Sequence, residues 1–148
     1  KIFFGCGMGF QPGPGFLIIE TAWETREVAD LYVGKESDFG DKDRKIIAQD
    51  ELEIGVFQVD GEFYAYENRC SHQGGPVCQG KVLNKVEEIL GDDMTSKGLM
   101  FSEEHVHIVC PWHGYEFNLK TGRHPGDKNV RLKPYKVKVS DGDVYVVV

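Results

Sequence analysis

From about residue 44 onward, apolar and polar positions alternate with a period of two. IGVFQV at 54–59 and EFYAYEN at 62–68 flank Asp60-Gly61, and PYKVKVS at 134–140 and DVYVVV at 143–148 flank Asp141-Gly142. Two β-rich runs joined by Asp-Gly predict a hairpin closed by a type I′ turn, because both central residues of that turn need positive φ. Tyr135, Val137 and Val139 mark one face of such a strand, and RKIIAQ at 44–49 and HVHIV at 105–109 add two more strands. Many short strands between tight turns predict an all-β fold, a small antiparallel β-sandwich or barrel.

Two stretches depart from that pattern. NKVEEIL at 84–90 places Val86, Ile89 and Leu90 at i, i+3 and i+4, with Asn84 as an N-cap and Gly91 as a stop, and predicts a short helix. It opens a polar excursion reaching to about residue 105. Residues 1–29 form a separate arm rich in glycine and proline, read as packed on the domain or on a neighbouring subunit. Near its end Thr21 and Glu24 fit a capping box, and Val28, Leu31 and Tyr32 have helical spacing, with a strand at Leu31–Val33 as the rival. The expected organisation is an arm over 1–29 and one β domain over 30–148, interrupted by an insertion at 82–105.

Composition narrows the class. The 148 residues suffice for one domain with its own core, and 41 % apolar with 28 % charged residues is ordinary for a globular protein. The net charge of −7 argues against nucleic acid or an anionic membrane surface as partner. Between Val82 and His105, Lys85 and Lys97 stand against Glu87, Glu88, Asp92, Asp93, Glu103 and Glu104, so −4 of that charge lies in the insertion. No run is long and apolar enough for a membrane helix, and the glycine-rich start is a poor secretory signal. The four cysteines, Cys6, Cys70, Cys78 and Cys110, are irregularly spaced and two stand beside histidines. That favours metal over disulfides and a reducing compartment, the cytoplasm.

The chemistry gathers in NRCSHQGGP and HIVCPWHGYEF. Cys70 and His72 bracket one residue, 37 residues follow, and Cys110 and His113 bracket two. Glycine follows both pairs, at Gly74, Gly75 and Gly114, where backbone must approach a cofactor. Two thiolates and two imidazoles suit tetrahedral zinc, or a [2Fe–2S] cluster with two histidines in place of two cysteines. The one-residue spacing of the first pair is unlike common zinc spacings.

The two boxes, CSHQGGP and CPWHGYEF, resemble those of Rieske-type ferredoxins and Rieske oxygenases over residues 30–148. The resemblance implies a Rieske-type β fold with an inserted cluster-binding subdomain. It also implies a [2Fe–2S] cluster ligated by Cys70, His72, Cys110 and His113, both cysteines on one iron and both histidines on the other. HPGD at 124–127 resembles the proline-containing third loop beside such clusters. The gap between the boxes is longer than is usual for ferredoxins of the family. Members that oxidise quinol carry a disulfide and two hydroxyl donors near the cluster. The matching positions here are Gly75 and Trp112 for the disulfide, Tyr115 for the serine and Phe117 for the tyrosine. Fewer donors imply a low potential, near or below about −100 mV, suited to a flavin- or NAD(P)H-linked reductase.

The implied function is a one-electron carrier passing electrons from that reductase to a terminal, ring-hydroxylating oxygenase, an electron-transfer component without a complete catalytic site of its own. The alternative is a permanent electron-transfer subunit of a larger redox enzyme. Among the remaining residues, His105 and His107, beside Glu103 and Glu104, are read as a solvated strand edge, with a second metal site as the alternative. Trp112 is either a shield over the cluster or plain loop packing. Cys78 is read as a small buried hydrophobe, and Cys6 has no assigned role. The acidic insertion, whose ends lead to the two boxes, is a candidate surface for steering a basic redox partner.

Overall fold

The computed structural model describes residues 29–148, so the glycine-rich arm, Cys6 and the Thr21–Glu24 capping box lie outside the described residues. Nine strands follow: β1 (Asp30–Lys35), β2 (Arg44–Gln49), β3 (Leu52–Val59), β4 (Glu62–Glu67), β5 (Lys81–Leu90), β6 (Ser96–Val109), β7 (Glu116–Asn118), β8 (Pro134–Ser140) and β9 (Asp143–Val147). Two single 3₁₀ turns, Glu36–Asp38 and Val77–Gln79, are the only helical elements among the described residues. One antiparallel sheet of six strands runs β1-β9-β8-β4-β3-β2, and a second of three runs β5-β6-β7.

Both Asp-Gly hairpins form as their sequence dictates. Asp60 and Gly61 have φ of 52° and 79°, Asp141 and Gly142 have 54° and 80°, and β3 with β4 and β8 with β9 pair across them. The Leu31–Val33 alternatives resolve to strand: β1 pairs antiparallel with β9 from Asp30↔Val147 to Lys35↔Asp143.

The strand β3 explains how one sheet serves two cores. Ile54 and Val56 point into a cluster with Phe39, Ala65, Val144 and Val146 inside the six-stranded sheet. Phe57 and Val59, one residue out of phase, point the other way and join Val106, Ile108, Phe117 and Leu119 of the three-stranded sheet. That second cluster also contains Cys70 and Cys110, so the layer that joins the sheets is the floor of the two boxes. Burying a side chain such as Phe57 contributes about 1.5–3 kcal/mol, which anchors the floor firmly.

The helix expected at 84–90 is not there; those residues belong to β5, paired with β6 from Lys81↔Val109 to Leu90↔Ser96. The i, i+3, i+4 pattern marks a helical face only where that face is buried, and Val86, Ile89 and Leu90 remain exposed. A seven-residue helix without tertiary packing is marginal, whereas the ladder with SKGLMF of β6 supplies every second backbone group with a partner. The insertion is therefore a long β-ribbon turning at Gly91–Thr95. There Thr95 donates to Asp93 Oδ1 through its backbone N–H (3.2 Å) and its hydroxyl (2.7 Å), which holds the Asp93 carboxyl below its usual range.

Candidate metal centre

The two boxes are turns of nearly the same construction. The first follows β4 and leads into the Val77–Gln79 turn; the second joins β6 to β7. In each, the cysteine carbonyl accepts the N–H of the glycine four residues on (Gly74, 2.8 Å; Gly114, 3.0 Å). In each, the cysteine N–H donates to the carbonyl five residues on (Gly75, 2.8 Å; Tyr115, 2.7 Å). Both closing glycines have positive φ, 74° and 68°, which an L side chain rarely adopts. The C-x-H and C-x-x-H spacings thus place a histidine near the apex of two matched turns.

The turns set the thiols deep and the imidazoles outward. Cys70 and Cys110 are 3 % and 2 % exposed, while His72 and His113 are exposed. The two cysteine side chains are within hydrogen-bonding reach of one another. Burial pushes the Cys70 thiol up and the neighbouring Cys110 thiol adds to this; the backbone N–H groups of His72 and Gln73, donating to its sulfur, pull the other way. The His72 and His113 rings meet edge to face with centroids 5.0 Å apart. Tyr115 stacks on His72 at 4.2 Å and 4° between planes, fixing the plane of that imidazole.

These four side chains suit a two-iron group better than a single ion. Among the described residues, no three histidine, cysteine or carboxylate side chains are grouped as one metal ion requires. Zinc would need all four at one point, whereas a [2Fe–2S] rhomb asks only for a thiolate pair at one end and an imidazole pair at the other. The buried sulfurs and outward rings form that polarity. Gly75 leaves the space for it: a Cβ there would lie 2.8 Å from the Trp112 ring and 3.2 Å from Cys110 Sγ. Gly75 and Trp112 are therefore in contact, as positions that carry a disulfide elsewhere in the family must be.

A sequence model of the Rieske [2Fe-2S] domain matches residues 29–136. The chain belongs to this family. A human Rieske domain-containing protein is 28 % identical over 138 residues, spanning 83 % of this chain and 77 % of that protein. The 3-phenylpropionate/cinnamic acid dioxygenase ferredoxin subunit of Escherichia coli (strain K12) is 33 % identical over 96 residues, 63 % of this chain and 70 % of the subunit. Among solved structures, a complex of reduced oxygenase and oxidized ferredoxin in carbazole 1,9a-dioxygenase aligns with a TM-score of 0.58 and 25 % identity, covering 80 % of this chain and 92 % of that one. The carbazole 1,9a-dioxygenase ferredoxin of Nocardioides aromaticivorans aligns with a TM-score of 0.55 over 80 % of this chain and 96 % of its own, at 18 % identity that speaks for the fold alone. This Rieske protein thus binds a [2Fe–2S] cluster and carries electrons, with the all-β fold of the family's ferredoxins. Among the described residues no helix is long and apolar enough to cross a membrane.

The other residues singled out by the sequence fall into place around the boxes. His124 of the HPGD loop accepts the N–H groups of Gly126 and Asp127 at Nδ1 (both 3.1 Å), and its ring packs on Tyr115 at 5.1 Å. Trp112 is 59 % exposed and packs one side of its ring on Gly75 of the first box. Cys78 is fully buried as expected of a small hydrophobe, and burial pushes its thiol up to about 12. His105 and His107 do not share a solvated edge. His105 is exposed, whereas His107 is buried and meets Glu116 Oε1 through Nδ1. No second metal site forms from them among the described residues.

Three contacts escaped the sequence reading. The His107–Glu116 pair spans β6 and β7 beneath the second box; both residues lie in HIVCPWHGYEF, but nothing local marks them as partners. Asn68 is buried, accepting the Cys78 N–H at Oδ1 and donating to Glu53 Oε2, both at 2.8 Å, which ties the first box to β3. The Tyr115–His72 stack joins residues 43 apart in sequence and becomes visible only once the boxes face each other.

Proposed function

We propose that the cluster is held by Cys70 and Cys110 at its buried end and by His72 and His113 at its exposed end. In this reading the chain takes single electrons from a flavin- or NAD(P)H-linked reductase and delivers them to a terminal, ring-hydroxylating oxygenase. The observation that carries it is the polarity of the site: two buried thiols side by side, two outward imidazoles in edge-to-face contact. When bound, the cluster supplies a centre that accepts one electron at lower cost than a four-thiolate cluster, because two ligands are neutral. The Cys70 sulfur is served by the His72 and Gln73 backbone N–H groups, which favour its thiolate form. Tyr115 holds the His72 plane, and the exposed imidazole face is where a partner can come close.

Relatives of 30–33 % identity include dioxygenase ferredoxin subunits, which favours the carrier over a permanently assembled enzyme subunit. A low potential follows from the residues beside the boxes. Phe117 has no hydroxyl and is fully buried, and Tyr115 commits its ring to His72. A redox titration of anaerobically prepared protein, followed by electron paramagnetic resonance, should give a midpoint near or below about −100 mV. Stopped-flow reduction by an NADH-linked flavoprotein reductase should be fast. A midpoint well above zero would point to quinol as donor and sink the reading. Alanine at any of the four ligands should leave a colourless protein; a variant that keeps the visible spectrum removes that residue from the ligand set.

A further inference from the structure

β5 is the edge strand of its sheet: β6 lies on one side and, among the described residues, no strand lies on the other. Its outer edge offers a row of backbone donors and acceptors on which another strand can pair. Both irregularities of the β5–β6 ladder place the surplus residues on β6, so β5 itself runs on unbroken. Apolar side chains crowd the ribbon. Leu83, Val86, Ile89 and Leu90 on β5 are exposed, and on β6 Leu99 and Phe101 are 72 % and 68 % exposed. Such a surface on a folded chain marks an association site.

The edge is complementary to itself. Laid antiparallel on a second copy with the two-fold axis at Val86, Lys85 stands opposite Glu87 of the second copy, and Asn84 stands opposite Glu88. Leu83 stands opposite Ile89, and Val82 opposite Leu90. Each of these contacts occurs twice. Moving the axis one residue earlier sets Val82 and Leu83 against Glu88 and Glu87; moving it one later sets Val86 against Glu88 and Lys85 against Ile89. One register alone matches charge with charge and apolar with apolar. Within one copy Lys85 and Glu87 already lie 3.3 Å apart on the same face, so the pairing builds an alternating set of four charges.

The same register carries the acidic Gly91–Thr95 turn to the foot of the second copy's β5. A hollow of about 380 Å³ lies there, lined by Lys42, Asp43, Arg44, Lys81 and Leu83 among others. Three cations against one carboxylate await Asp92 and Asp93. We propose that β5 pairs antiparallel with β5 of a second copy about a two-fold axis at Val86, giving a continuous six-stranded sheet with each acidic turn held in the other copy's cationic hollow. The contact is isologous, so it closes as a dimer and leaves no growing end.

The test is sedimentation equilibrium of the cluster-loaded chain. The wild type should show a reversible monomer–dimer equilibrium. Lys85→Glu and Glu87→Lys should each weaken the dimer by about tenfold, since each sets like charges opposite one another twice. Mixing the two variants should restore association, because every contact at these positions then joins opposite charges again. The double variant Lys85→Glu/Glu87→Lys should dimerise like the wild type. Unchanged far-ultraviolet dichroism and visible absorption confirm that these surface variants fold. A chain that stays monomeric, or a dimer indifferent to both reversals and to their mixing, overturns the proposal. So does a monomer that uses this edge to bind a cationic protein, which would then be the occupant.

Discussion

At the scale of single residues, the centre depends on a side chain that is absent. Gly75 has no need of unusual φ; what it supplies is emptiness against Cys110 Sγ and the Trp112 ring. Gly75→Ala puts a methyl group 3.2 Å from the sulfur and 2.8 Å from the ring. Overpacking of this kind costs about 1–3 kcal/mol, and here it falls on a proposed ligand. The variant should load less iron and sulfide per chain and lose cluster faster on standing. Adding Trp112→Gly should recover the part due to the ring, because that indole is largely exposed and free to go. Iron-to-protein ratios of the single and double variants decide it; full loading of Gly75→Ala would show that the thiol can move aside.

Cys78 is a second residue whose effect follows from burial. Its thiol sits within sulfur hydrogen-bond distance of the Tyr66 carbonyl (3.6 Å) and is pushed up to about 12, first by burial. The unfolded chain loses that proton near about 8.5. The folded state therefore binds the proton more tightly, and the stability this gives is complete below about 8.5 and drains as pH rises toward about 12. Tyr64, raised to about 12, and Tyr66, raised further, act in the same sense but only above their unfolded value of about 10. Cys78→Ala should cost about 1 kcal/mol at neutral pH and flatten the decline between about pH 8.5 and 10. Denaturant unfolding across that range measures it, and an unaltered slope would assign the alkaline loss elsewhere.

At the scale of elements, legibility followed how local the physics is. The Asp-Gly hairpins and RKIIAQ could be read from a few residues because turn geometry and strand alternation are encoded within them. The two Cys/His pairs stood out as candidate ligands for the same reason: each lies within one turn, and only their meeting is non-local. The ribbon was misread because a strand held by its partner, from Asn84↔Val106 to Leu90↔Ser96, leaves no local mark, and its exposed apolar residues imitated a helical stripe. His107 was misread because its burial depends on β7 bringing Glu116 alongside. Tyr115 was noticed as a departure from the family's serine, yet its stack on His72 depends on two loops facing each other across the core.

At the scale of the whole molecule, the ribbon is separable from the domain that bears the centre. Neither hydrophobic core contains any residue from Leu83 to His105, while Val106, Ile108 and the partly buried Val82 belong to the core beneath the boxes. Asn84 and Val106 already face each other across the ladder, so an Asn-Gly turn in place of residues 85–105 closes the hairpin where the core ends. The shortened chain gives up the distal ladder, but it also orders far fewer residues for the same core. It loses four of the seven net negative charges as well. It should keep its visible spectrum and unfold within a few degrees of the parent, because every ligand box and every core contact remains. It should also sediment as a monomer whatever the parent does, since the pairing edge is gone. Loss of the cluster from the shortened chain would mean that the ribbon shapes the centre through the two strands that end on its boxes, and the division between an electron-carrying domain and an association arm would fall.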